Sequence, residues 1–455
     1  MALTGRAALL ALLGTLVVLF ASRPGPAMAG VVLLIAALIT VDLLLAGSVR
    51  ALRFTRSGDR LVRLGESAAV ELIVENPGSR RTRGVLRDAW PPSAGAAPRR
   101  LPLDVPPGER RRLVTTLTPT RRGDREAVTV TVRALGPMGI AARQGSHRVP
   151  WSVRVLPPFL SRKHLPAKLS KLRELEGQHP SMVRGQGTEF DSLREYVVGD
   201  DVRSIDWRAT ARRNDVVVRT WRPERDRRVL IVLDTGRTSA GRVGTAPIPL
   251  AGETPRTAGA RGGAAAAGGW PRLDWSMDAA LLLAALASRA GDRVDFLAYD
   301  RAVRAWLPGA GRTELLSSLV NSMAPIEAEL IEADSAGMVA AVMTRARRRC
   351  LVVVLTDLNS ASLEEGLLPV LPQLSSRHLV LLAAVSDPQV AAMAAGRGTS
   401  ELVYNAAAAE HQNSDRRRIT ARLLRHGVEV VDAPPERIAP ALADAYLALK
   451  AAGRL

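Results

Sequence analysis

Residues 184–234 read RGQGTEFDSLREYVVGDDVRSIDWRATARRNDVVVRTWRPERDRRVLIVLD. The stretch closes on five consecutive apolar residues, Val229 to Leu233, followed by Asp234. So short a run, without period-two alternation and bounded by charge, predicts a strand covered on both faces, the strand type of a parallel sheet. Ahead of it Arg, Asp and Glu alternate closely, and Phe190, Leu193, Tyr196, Ile205 and Trp207 recur between them. A solvated charged face does not interleave large apolar side chains so regularly, so this segment is expected to bury them against the neighbouring domain. Arg194, Asp200, Arg203, Asp206 and Arg208 would then form a paired network, with the carboxyls held low by the arginines.

Working toward the C-terminus, strands are predicted over residues 228–233, 293–298, 302–307, 350–356, 378–385 and 428–431. Helices are predicted between them, over 275–290, 314–323, 335–348, 415–426 and 437–451. Buried strands alternating with helices imply a parallel sheet wrapped on both faces. Residues 241–269, rich in Gly, Ala, Pro and Thr, break the alternation after the first strand and read as a flexible, low-complexity insertion. Toward the N-terminus, residues 161–176 predict a helix.

Residues 51–157 change character. Period-two alternation at 68–74, 112–117 and 127–132, bounded by Asn76-Pro77-Gly78, Pro106-Pro107-Gly108 and Arg122-Gly123-Asp124, predicts antiparallel strands joined by turns. The strand count fits a small β-sandwich of immunoglobulin-like architecture. Before it lie two apolar stretches, residues 7–21 and 29–47, separated by Arg23-Pro24-Gly25-Pro26. They read as a two-helix transmembrane hairpin, the Pro-Gly turn breaking any continuous helix. A cleaved secretory signal ending at Ala29 is the competing reading. Arg50, Arg53, Arg56, Arg60 and Arg63 follow the second stretch, against Arg23 alone in the turn, which places the body of the chain in the cytoplasm. Asp42 is the one acid in that stretch and is expected to face the partner helix or the hydrated end.

A net charge of +19 over 455 residues raises nucleic acid as a partner. That class is set aside: the basic residues are spread through Arg/Asp/Glu alternations, and no nucleic-acid motif accompanies them. An anionic membrane surface suits the charge better. The single cysteine, Cys350, precedes an apolar strand, can form no internal disulfide and reads as a small buried residue. Catalytic signatures are missing: there is no phosphate-binding loop, no G-x-S-x-G elbow and no His pair or Cys/His cluster. The chain therefore reads as a non-enzyme.

The charged segment resembles the hallmark of a bacterial family labelled domain of unknown function 58. The resemblance rests on Gly185, Gly187, Glu189 and Phe190 (G-x-G-x-E-F), Leu193, Arg194 and Tyr196 (L-R-x-Y), and the run Gly199, Asp200, Asp201, Arg203, Ile205, Asp206, Trp207, Arg208 and Arg212. In that family the motif leads into a von Willebrand factor A-like domain. The resemblance thus implies a mixed fold: transmembrane hairpin (1–49), β-sandwich (50–158), hallmark segment (159–226) and von Willebrand A-like, Rossmann-type α/β domain (227–455). It further implies a Mg²⁺ site at the strand ends built on Asp234, Thr238 and Asp357. Gly236 and Ala333 stand where that pattern has hydroxyl ligands, and Arg237 beside them is a candidate to replace the ion by pairing with Asp234 and Asp357. Proteins similar to this one are associated with MoxR-type AAA+ ATPases, which implies an adaptor at the inner membrane. The alternative is an envelope or wall-related protein acting with other membrane proteins.

Overall fold

The structure, a computed structural model, describes residues 1–178, 189–197, 200–213, 215–222, 227–244, 269–309, 311 and 313–455. Gly185, Gly187 and Gly199 of the hallmark, and most of the 241–269 insertion, lie outside the described residues. The chain forms two compact units, one spanning Met1–Pro158 and a second beginning at Phe159 and running to Leu455.

The first unit opens with helix α1 (Gly5–Leu19) and helix α2 (Pro24–Leu45). Apolar side chains dominate both helices. At ~1.5 Å per residue α2 is about 33 Å long, enough for a hydrocarbon layer, and the segment Pro24–Ala51 is long and apolar enough to cross a membrane. Helix α1 is shorter. The helix is interrupted between Leu19 and Pro24 as expected, but Pro24 and Pro26 lie in the first turn of α2, where no intrahelical N–H is required, rather than in the turn itself.

Strands follow: β1 (Arg53–Gly58), β2 (Leu61–Arg63), β3 (Ala68–Glu75), β4 (Thr82–Asp88), β5 (Leu101–Val105), β6 (Arg110–Leu117), β7 (Gly123–Leu135) and β8 (Ala141–Leu156). One sheet has the order β8-β7-β4-β5, with β2 added beside β8; the other runs β1-β3-β6. Alternate residues of each point inward, and Leu72 and Val74 of β3 share one core with Leu86, Leu103, Val130 and Val132 of the opposite sheet. Arg56, counted among the cytoplasm-facing charges, is buried inside this unit and paired with Asp88 at 2.5 Å.

Asp42 faces neither the partner helix nor water. Its carboxylate accepts the amide hydrogens of Met138, Ile140 and Ala141, each at 2.8 Å, in the turn joining β7 to β8. Gly136 belongs to that turn, and a Cβ there would stand 2.2 Å from Asp42 Oδ1. Thr4, the N-cap of α1, donates to the Gly139 carbonyl at 2.6 Å, and Arg6 donates to that of Met138 at 2.8 Å. The start of α1 and the end of α2 are therefore fastened to one turn of the sandwich.

In the second unit helix α3 (Leu165–Gln178) precedes strand β9 (Glu189–Glu195), helix α4 (Trp207–Arg213) and strand β10 (Val217–Arg222). The main sheet comprises β11 (Arg228–Asp234), β12 (Arg293–Tyr299), β13 (Val303–Leu307), β14 (Leu351–Leu355), β15 (Leu379–Val385) and β16 (Glu429–Ala433). Its order is β13-β12-β11-β14-β15-β16, parallel except for the antiparallel edge strand β13. Helix α5 (Arg272–Arg289) is buried almost all round, as its Ala/Leu sequence requires, with helix α6 (Leu315–Met323) and helix α9 (Pro435–Ala451) packed against it. On the other face, helices α7 (Ser335–Arg345) and α8 (Ser400–Arg425) cover Leu230, Val232, Val352 and Val354. The predicted helix 415–426 is only the last part of the 26-residue α8. The insertion's ends are ordered: Arg242 and Val243 pair with Pro271 and Trp270, and the Trp270 ring lies tilted against Trp275 with centroids 5.4 Å apart.

The hallmark segment departs from expectation. β9 and β10 form their own two-stranded sheet, with α4 between them in sequence. Leu193, Tyr196 and Ile205 are half-buried, but Trp207 is 67% exposed. Val217 and Val218 of β10 supply buried apolar contact instead. The network is partial: Arg194 pairs with Asp200 at 2.5 Å, and Asp206 pairs with Arg219 at 2.8 Å. Asp201 accepts from the Arg203 amide at 3.0 Å, and Asp206 from the amides of Arg208 and Ala209, both at 3.0 Å. Arg203, Arg208 and Arg212 are exposed and pair with no carboxylate among the described residues. Glu189 and Phe190 begin β9.

Candidate functional site: the carboxyl ends of the parallel sheet

In an open parallel sheet a crevice forms where strand order reverses, outside the carboxyl ends of the two strands concerned. Here those strands are β11 and β14. Asp234 ends β11, and Thr356 and Asp357 follow β14, so local strand register alone brings these residues to the crevice.

Asp234 is 5% exposed, and both its oxygens are engaged. Oδ1 accepts from the Gly236 amide at 2.8 Å; Oδ2 accepts from Thr356 Oγ1 at 2.6 Å and Thr238 Oγ1 at 3.2 Å. Burial pushes its carboxyl above the usual carboxylate range, the three hydrogen bonds opposing that shift. Thr238 thus touches Asp234. Thr356 was not among the sequence-predicted site residues, although it adjoins Asp357 in the same strand-end triplet.

Asp357 is also buried, but it is spoken for by arginines. Arg416 Nη1 donates to its Oδ1 at 2.8 Å, and Arg272 Nη1 lies 3.5 Å from its Oδ2. Arg416 also forks onto Asp432 at the end of β16, at 2.7 and 3.1 Å. Burial of the guanidinium works against its charge, yet the hydrogen bonds and fields of Asp432 and Asp357 outweigh that and raise its pKa. Arg237, the expected partner of both acids, instead reaches Glu332 at 3.1 Å on the surface.

Gly236 and Ala333 do lie side by side. A Cβ built on Gly236 would meet Ala333 Cβ, the Ile331 carbonyl and Asp234 Oδ1, each at 3.1 Å. Both positions that would carry ligand hydroxyls therefore present none, and a larger residue at 236 would crowd backbone. A third acid, Asp300 after β12, is fully buried and bonded to Thr235 at 3.0 Å and to Arg304 at 2.5 Å. Among the described residues no group of three His, Cys, Asp or Glu side chains is placed to hold a metal ion. Away from this face, Cys350 and His378 approach at 3.5 Å, but both are buried and the thiol is pushed up to about 12 by burial, which makes a poor nucleophile.

The chain joins an N-terminal helix long and apolar enough to cross a membrane to a mixed α/β body whose strand-end acids are bonded within the chain. It belongs to the family described as protein of unknown function DUF58, whose model matches residues 192–247 and 271–423. No curated protein matches it. Among solved structures, it is similar to the CARDB domain of the PF1109 protein from Pyrococcus furiosus, at 18% identity and a TM-score of 0.18, over 23% of this chain and 91% of that one. It is also similar to SSP-19, an MSP-domain protein-like family member in Caenorhabditis elegans, at 15% identity and a TM-score of 0.17, over 21% and 94%. A β-glucosidase from Listeria innocua is similar at 15% identity and a TM-score of 0.15, over 22% of this chain and 16% of that one. Similarities at this level assign neither fold nor function.

Proposed function

We propose that this protein is a membrane-anchored, non-enzymatic interaction module whose α/β unit is von Willebrand A-like, and that its partner is a MoxR-type AAA+ ATPase. One observation carries the reading. The crevice where such a sheet would present chemistry holds acids whose oxygens are already bonded to threonines, an amide and arginines. No nucleophile–base pair accompanies them there, so the face is a surface for contact rather than a reacting centre. The strand order with β11 central, the antiparallel edge strand and the juxtaposed positions 236 and 333 support the von Willebrand A-like assignment.

The anchoring arrangement in this proposal is a two-helix hairpin in the inner membrane, crossing twice, with the body in the cytoplasm. Fastening of the α1 start and the α2 end to the same turn supports it, as do Arg50, Arg53 and Arg60 beyond α2. A motor in the cytoplasm can reach such a body. The test is affinity capture from solubilised membranes with native protein and with Arg237→Glu, which reverses an exposed charge on this face. Recovery of a AAA+ ATPase with the native protein and its loss with the variant is the expected result. Equal recovery with both places the contact elsewhere, and recovery of envelope proteins without an ATPase replaces the proposal with an envelope role.

A further inference from the structure

A hard divalent ion needs several oxygens free to converge on it, in near-octahedral array for Mg²⁺. The residues at the ends of β11 and β14 do not fit that need. Asp234 spends its oxygens on Gly236, Thr238 and Thr356, and Asp357 spends its own on Arg416 and Arg272. Gly236 and Ala333 bring no hydroxyl, and their close approach leaves no room to add one at 236 without moving the Ile331 carbonyl.

The charges of Asp357 and Asp432 are balanced from within the chain. Two carboxylates, Asp357 and Asp432, meet two guanidiniums, Arg416 and Arg272. Arg416 is the centre of the group: its side chain is 10% exposed, it forks onto Asp432, and it bridges to Asp357. A planar guanidinium can hold two carboxylates in fixed directions, which an ammonium cannot do. It is also held rigidly, because Ile419 and Leu423, one and two turns further along α8, are fully buried on the same face.

We infer that Arg416 is the resident cation of the strand-end face: its guanidinium, carried on α8, bridges the ends of β14 and β16 and does the charge balancing that a bound divalent ion does in cation-dependent α/β domains. The face is therefore held together without a bound metal ion. The inference stands whether or not an ATPase docks there, because it concerns the isolated chain.

The test uses the full-length protein in nanodiscs. The thermal midpoint of the native protein should be the same in chelator and in millimolar Mg²⁺ or Mn²⁺; a saturable rise with either ion, the signature of a ligand bound by the native state, overturns the inference. Arg416→Ala leaves two carboxylates facing a guanidinium-sized gap. Its midpoint should fall, and millimolar methylguanidinium should restore part of the loss while leaving the native protein unmoved. A generic packing defect would not respond to that probe, so a fall without rescue overturns the inference, as does an unchanged midpoint. Arg416→Lys keeps the charge but loses the fork and should lie between the two. If Arg416→Ala does not fold, the native metal titration and the lysine variant decide.

Discussion

Asp42, in the last turn of the apolar helix α2, accepts the amide hydrogen of Ile140 at 2.8 Å, from a position 98 residues further along the chain. An acid in an apolar helix is costly unless its charge is met. Here three amides meet it, and the helix end is tied to a turn of the sandwich. Asp42→Ala would leave the buried amides of Ile140 and Ala141 without an acceptor, at about 1–3 kcal/mol each, and the half-buried Met138 amide unpaired at a smaller cost. The variant should show markedly lower thermal stability in detergent and faster protease cleavage near the end of α2, whereas Asp42→Asn, which keeps an acceptor, should fall between it and the native protein. Native-like stability in Asp42→Ala would show that the tie contributes little.

The hallmark segment should be sensitive at Asp206 and tolerant at Trp207. Asp206 caps α4 and pairs with Arg219, which holds its carboxyl below the usual range, together with the Ala209 and Arg208 amides. Its contribution is present above the ordinary carboxylate pKa and is lost as pH falls through its depressed value. Asp206→Ala should lower the thermal midpoint at neutral pH by less than Asp42→Ala does, and the deficit should shrink in acid. Trp207 is largely exposed, so Trp207→Ser should leave the midpoint unchanged; a large drop would place that ring in a packed environment.

Asp278 introduces an opposite pH dependence. Buried in α5, it accepts from the Ser161 amide at 3.1 Å, and burial pushes its carboxyl up to about 6 against those hydrogen bonds. A raised folded pKa means stability that is complete below the unfolded value near 4 and lost as pH rises through about 6. Asp278→Asn keeps an acceptor and removes the charge. It should therefore be more stable than the native protein at pH 8, by up to about 3 kcal/mol, with the two converging below pH 4. Parallel curves across that range would refute the assignment.

Cys350 is a convenient reporter of global opening. Its thiol is buried and its pKa pushed up to about 12 by that burial. Iodoacetamide at pH 8 should leave it unmodified in the folded protein and alkylate it fully in denaturant, as mass spectrometry would show. Rapid modification of the native protein would mean a reactive, accessible thiolate.

Much of the architecture is legible in the sequence. The apolar run Val229 to Leu233 is β11, the alternating segments lie within β3, β6 and β7, and the Leu/Ala run is α5. Each is a short-range pattern, since burial on one or both faces repeats with the backbone's own period. Asp234, Thr238 and Asp357 come together only through the family resemblance; strand periodicity by itself places Asp234 and Asp357 at the ends of apolar runs and says nothing of what they bond to. The start of α8 is not legible, because its first half is Ala-rich and exposed and so carries little amphipathic signal.

The sequence by itself determined which segments become strands and helices, and that acids would stand at the ends of β11 and β14. Only the tertiary structure decided what those acids do. Arg416 lies 59 residues from Asp357, and Arg237 lies beside Asp234, yet the distant arginine makes the buried pair and the near one turns to Glu332 on the surface. Charge pairing depends on which side chains packing brings within about 4 Å in a dry environment, and that follows from how α8 seats on the sheet rather than from proximity along the chain. Asp42 obeys the same logic: its acidity is visible in the sequence, but its three donors come from a turn that exists only once β7 and β8 have paired.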